Sequence, residues 1–125
     1  MNTDRSVKVK DIVEKFQMEV LYPGADFETE TLTITDVNRP GLQFVGFFDY
    51  FAPDRIQVIG KVEWTYLNNQ SPEERQKCFD AFFKFPIPAL ILTRSLTPFP
   101  ELMEMAVKHK RTVLRSEEDT SLFIP

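Results

Sequence analysis

The chain is poor in the residues from which catalytic and metal centres are usually built. Cys78 is its only cysteine, His109 its only histidine and Trp64 its only tryptophan, and four glycines are scattered through 125 residues. One cysteine excludes an internal disulfide and fits a reducing compartment. One cysteine and one histidine cannot supply a nitrogen and sulfur zinc site within a single chain. A Ser-His-Asp or Cys-His centre would have to use His109, which sits in the basic run Lys108-His109-Lys110-Arg111. That run closes an expected helix, where cations meet the negative end of the helix dipole. Dispersed glycines exclude a dinucleotide fingerprint, which needs three of them close together. Gly41 and Gly46 have the spacing that opens a P-loop, but Phe47 and Phe48 stand where Lys and Ser or Thr are required. Two phenyl rings can hold neither phosphate nor Mg²⁺.

Positive charge is also in short supply. Fifteen Lys and Arg face nineteen Asp and Glu, a net charge of −4, the opposite of a nucleic-acid footprint. No apolar run approaches the ~20 residues of a membrane span. Residues 1–10 lack the apolar centre of a signal peptide. These absences predict a soluble, cytoplasmic domain with no metal, no nucleic-acid or membrane partner and no catalytic residue of its own.

What the chain does have is phenylalanine, twelve in all, within a hydrophobic content of 42%. That is enough for one domain with an aromatic core. Asp11 opens a segment to Gln17 with helical spacing, Ile12, Val13 and Phe16 on one side. Glu19–Tyr22 and 29–37 read as strands, the first stopped by Pro23-Gly24. Asn38-Arg39-Pro40-Gly41 is the strongest turn signal. Leu42–Phe51 reads as one short helix running into an irregular aromatic segment. Arg55–Gly60 reads as a buried strand, and Val62–Leu67 as a helical turn. Ser71-Pro72-Glu73-Glu74 combines an N-cap, a first-position proline and a capping box. Ala89–Thr93, a continuous apolar run between breakers, suits a central parallel strand. Thr97-Pro98 is expected to start a further helix with Leu102, Met105 and Ala106 inward, followed by a last strand over Thr112–Arg115. Strands thus alternate with helices, which predicts an α/β domain with a largely parallel sheet flanked by helices.

Parallel sheets place ligands at the carboxyl ends of their strands. Two loops have that position: Asp36, Asn38, Arg39 and Gly41 after one strand, and Thr93, Arg94 and Ser95 after another. They are the candidate ligand residues. Asp49, Asp54 and Glu63 are other acids of the region, read as caps and ion pairs. Phe47, Phe48, Tyr50 and Phe51 are core residues or, if exposed, anchors of a partner surface.

The run NRPGLQFVGFFDYFAPDRIQVIGKVE from Asn38 to Glu63 is long and unusual. With VKVKDIVEKF from Val7, SPEER from Ser71, ALILTRSLTPFPELMEMA from Ala89 and TVLRSEEDTS from Thr112, it resembles the N-terminal domain of HPr kinase/phosphorylase. That bacterial enzyme phosphorylates a serine of the phosphocarrier HPr and also removes the phosphate. The resemblance implies a small α/β sandwich similar to the N-terminal domain of Mur ligases. It implies a domain over residues 1–116, then 117–125 as the start of an interdomain helix. The P-loop that binds ATP or pyrophosphate with Mg²⁺ is expected in a C-terminal kinase domain outside this sequence. The implied role is regulatory or assembly-related, in a homo-hexameric enzyme of carbon catabolite repression. The ending SEEDTSLFIP is more acidic than the family pattern. A stand-alone ligand sensor and an interaction module are the alternatives.

Overall fold

The structure is a computed structural model and describes residues 6–33 and 37–119. Seven strands and five helices follow one another as β1 (Ser6–Lys8), α1 (Val9–Lys15), β2 (Glu19–Tyr22), β3 (Thr31–Thr33), β4 (Val37–Asn38), α2 (Gly41–Phe44), β5 (Ile56–Ile59), α3 (Lys61–Asn68), α4 (Pro72–Phe83), β6 (Leu90–Leu92), α5 (Pro100–His109) and β7 (Val113–Arg115). The main sheet has five strands in the order β2-β7-β6-β5-β4. β4, β5, β6 and β7 are mutually parallel, while β2 joins β7 antiparallel. A two-stranded sheet pairs β1 with β3 antiparallel.

Strand alternation sorts the apolar residues into two cores, because successive side chains point to opposite faces. Ile59, Leu90, Leu92 and Val113 face the larger core with Phe44, Leu67, Phe79, Phe82, Phe83, Leu102, Met105 and Ala106. Helices α2 to α5 therefore cover one face. Val58, Ala89, Ile91 and Leu114 face the smaller core with Val9, Met18 and Leu32, so α1 and the small sheet cover the other. This is the expected flanked, largely parallel α/β sheet, with β6 at its centre.

Three boundaries differ from the sequence reading. The single strand expected over 29–37 is two strands in different sheets, β3 and β4, with residues 34–36 outside the described set. The helix expected to begin at Thr97-Pro98 begins instead at Pro100, with Phe99 as its extended N-cap (φ −72°, ψ 142°). A residue before proline is driven out of helical conformation, so Phe99-Pro100 sets the boundary. The turn expected over 38–41 ends β4 and starts α2, and the turn at Val62–Leu67 is a full helix, α3.

The capping box forms as expected: Ser71 Oγ accepts the Glu74 N–H at 3.1 Å. Helices α4 and α5 are clasped at their far ends by Asp80. Its carboxylate takes His109 Nε2 at 2.7 Å and Lys108 Nζ at 3.0 Å, with Lys84 Nζ at 4.0 Å. These donors hold its pKa down at about 2, His109 contributing most. A carboxylate with a depressed folded pKa stabilises above its ordinary value of 3.8, and that contribution fades as pH falls through about 2. Asp80→Asn is expected to melt below the wild type at pH 7, with the gap closing on acidification from about pH 4 to about pH 2. Calorimetric melts across that range check it.

Candidate functional site

The carboxyl ends of β4, β5, β6 and β7 share one edge of the sheet, and the candidate ligand residues lie along it. Asp36 is outside the described residues. Arg39 leaves β4 and grips Glu63 side-on, Nε to Oε2 at 3.0 Å and the terminal nitrogen to Oε1 at 2.8 Å. Glu63 Oε1 also accepts the Gly60 N–H at 2.8 Å, which caps α3. Glu63 is buried at 8% exposure and Arg39 is 37% exposed, so this pair is a deep acid closed over by a cation. Gly41 sits beside it, where a Cβ would stand 4.0 Å from Glu63 Cγ.

Asn38 belongs to an amide chain. Its Nδ2 donates to Gln57 Oε1 at 2.6 Å and to Gln43 Oε1 at 3.2 Å. Gln57 Nε2 in turn donates to the carbonyls of Arg55 at 2.8 Å and Ala52 at 3.2 Å, and Gln43 Nε2 to that of Phe47 at 3.3 Å. Thr93 is buried and its hydroxyl donates to the Ile59 carbonyl at 2.9 Å. Arg94 and Ser95 both adopt left-handed conformations, φ 53° and 51°. Their N–H groups donate to the carbonyls of Glu118 at 2.8 Å and Ser116 at 2.9 Å. The Arg94 guanidinium is exposed and lies 3.7 Å from Asp119.

The edge thus holds two separate clusters. Asn38, Arg39 and Gly41 converge on Glu63, Gln43 and Gln57. Thr93, Arg94 and Ser95 are fastened to the exit of β7. β5 runs between them. The crevice of an open parallel sheet forms where strand order reverses. Here β4 to β7 follow one another in sequence across the sheet, with their crossover helices on one face. Glu63, Gln43 and Gln57 are the members the sequence reading did not assemble. One signal for Gln57 was legible, a lone amide inside the apolar strand IQVI. Among the described residues no buried side-chain polar atom lacks a hydrogen-bond partner and no three ligating side chains gather around a metal position. Cys78 is also spent: its thiol donates to the Phe44 carbonyl at 3.6 Å, and burial pushes its pKa up to about 12.

The aromatic segment divides in two. Phe48 stacks on Phe85 at 5.1 Å, and Phe51 meets Phe85 and Phe82 edge-on and tilted at 5.0 and 5.9 Å. Phe47 is instead 44% exposed and Tyr50 100% exposed, alongside Leu42 at 61% and Val45 at 56%. Gly46, at φ +97°, turns the chain between these outward residues.

Residues 7–125 match the family model described as the HPr serine kinase N terminus. The chain belongs to that family. It is 45% identical over 118 residues to HPr kinase/phosphorylase of Clostridium acetobutylicum and 46% identical over 117 residues to that of Clostridium tetani. In each case 94% of the chain aligns with 38% of the relative, so the HPr kinase N-terminal domain spans well under half of these enzymes. In fold it is similar to the CBS and DRTGG domains of the regulatory region of Clostridium perfringens pyrophosphatase, a structure complexed with the activator diadenosine tetraphosphate. The TM-score is 0.60 at 16% identity, covering 92% of this chain and 43% of the other. No helix among the described residues is long and apolar enough to cross a membrane.

Proposed function

We propose that this chain is the non-catalytic N-terminal domain of a bifunctional HPr serine kinase/phosphorylase, contributing regulation or assembly contacts rather than chemistry. The observation that carries this reading is the match of residues 7–125 to the N terminus of enzymes of which the chain covers 38%. The internal satisfaction of Arg39, Asn38 and Thr93 is consistent with it, since each polar group that could grip a substrate already has a protein partner. In this reading ATP or pyrophosphate and Mg²⁺ are bound by the kinase domain of the parent enzyme. HPr is its protein substrate, the cytoplasm its compartment, carbon catabolite repression its process and a homo-hexamer its assembly. The Mur ligase likeness belongs to the same reading.

A second reading, an interaction module, is favoured by the outward Leu42, Val45, Phe47 and Tyr50, because large exposed apolar groups anchor interfaces. The two readings are compatible if that face makes the assembly contacts. The test uses three proteins: the C. acetobutylicum relative, the same enzyme without its matched N-terminal portion, and a chimera carrying this chain in place of that portion. The truncated enzyme and the chimera are both expected to phosphorylate HPr. Regulation or oligomeric state is expected to change on truncation and to return in the chimera.

A further inference from the structure

We infer that β4 is a latched edge strand, held in the sheet by the side chains at its end more than by its ladder, and that the latch fixes the position of the outward apolar segment. β4 pairs with β5 through only two residue pairs, Val37 with Ile56 and Asn38 with Gln57, whereas β5–β6 and β6–β7 have three each. Both residues of β4 are half-buried, while every residue of β5 is buried. So short an edge ladder is a weak attachment. Pro40, which has no N–H, prevents the ladder from continuing.

Four side-chain hydrogen bonds make up the difference. Two run from Arg39 to the carboxylate of Glu63 on α3, and two run from Asn38 to Gln57 on β5 and Gln43 on α2. The bonds to Glu63 are charge-assisted and its carboxylate is buried, so their loss leaves a charge without its cation. The same amides continue to the carbonyls of Phe47, Ala52 and Arg55. One network therefore joins the end of β4 to both ends of the segment that presents Leu42, Val45, Phe47 and Tyr50. When the latch opens, β4 and that segment are released together while β5, β6 and β7 stay paired.

Amide hydrogen exchange on the whole chain tests this. In the wild type, amides of residues 37–47 are expected to exchange at least ~10-fold faster than those of β6 and β7, because they open without global unfolding. Glu63→Gln keeps an acceptor for the Gly60 N–H but removes the charge that holds Arg39. It is expected to speed exchange in 37–47 by ~10-fold or more, with β6 and β7 changed by less than about twofold. Asn38→Ser tests the amide branch without touching the ion pair and is expected to act on the same amides. Equal protection of 37–47 and β6 in the wild type would overturn the inference. So would variants that leave 37–47 unchanged or accelerate every strand alike.

Discussion

Phe82→Ala is expected to remove about 3–5 kcal/mol of folding stability. Phe82 is fully buried, and its ring lies 5.2 Å from Phe44, 5.4 Å from Phe83 and 5.9 Å from Phe51. It is the point where α2, α4 and the aromatic segment meet. Truncation to alanine loses the transfer free energy of the ring and also its edge contacts, which are worth about 0.5–1.5 kcal/mol per pair beyond area. Three neighbours are themselves large rings fixed by others, so the cavity cannot collapse fully. A domain of this size holds about 5–15 kcal/mol, so the variant should sit close to its unfolding transition at 37 °C. Urea unfolding followed by Trp64 fluorescence checks it. The midpoint should fall sharply with the slope unchanged.

Gly24→Ala is expected to be almost as damaging, at about 3 kcal/mol, although glycine-to-alanine changes in loops are usually mild. A Cβ at Gly24 would stand 2.5 Å from the Lys110 carbonyl oxygen, 2.7 Å from the Thr112 nitrogen and 2.8 Å from the Arg111 carbonyl carbon. All three are backbone atoms, so no flexible side chain can yield. Relief requires the loop after β2 to lift off residues 110–112. That would break the bonds from the Gly24 N–H to Thr112 Oγ1 at 2.9 Å and from the Ala25 N–H to the Lys110 carbonyl at 3.1 Å. Gly41→Ala is the control, since a Cβ there meets only Glu63 Cγ at 4.0 Å. Thermal unfolding of both variants decides it: Gly24→Ala should melt far below the wild type, with Gly41→Ala close to it. A neutral or stabilised Gly24→Ala would mean that the two backbones do not pack as described.

These two sites show what a sequence carries locally and what it does not. Pro23-Gly24 was readable as a stop for β2 because turn chemistry is local. Its close approach to Lys110 and Thr112, 86 and 88 positions further along, leaves no local trace. The capping box at Ser71 and Glu74 and the apolar run of β6 were legible for the same local reason. Residues 29–37 failed because β-propensity cannot say which sheet a strand joins; β3 and β4 read as one run and belong to different layers. The candidate ligand loops were placed correctly at the strand ends. Their convergence could not be judged, because it depends on β5 lying between β4 and β6. Arg39 and Glu63 are 24 residues apart, and nothing in either segment announces that a buried acid waits for that cation. The aromatic segment was ambiguous for a further reason: phenylalanine signals burial by type, while Phe47 and Phe48 are neighbours that point opposite ways.

The most direct test of the non-catalytic assignment is HPr phosphorylation with ATP and Mg²⁺, run on the truncated C. acetobutylicum enzyme, on the chimera and on this chain alone. The account predicts transfer by the first two and none above background by the chain alone. Transfer by this chain alone, or its complete loss on truncation with recovery in the chimera, would contradict it.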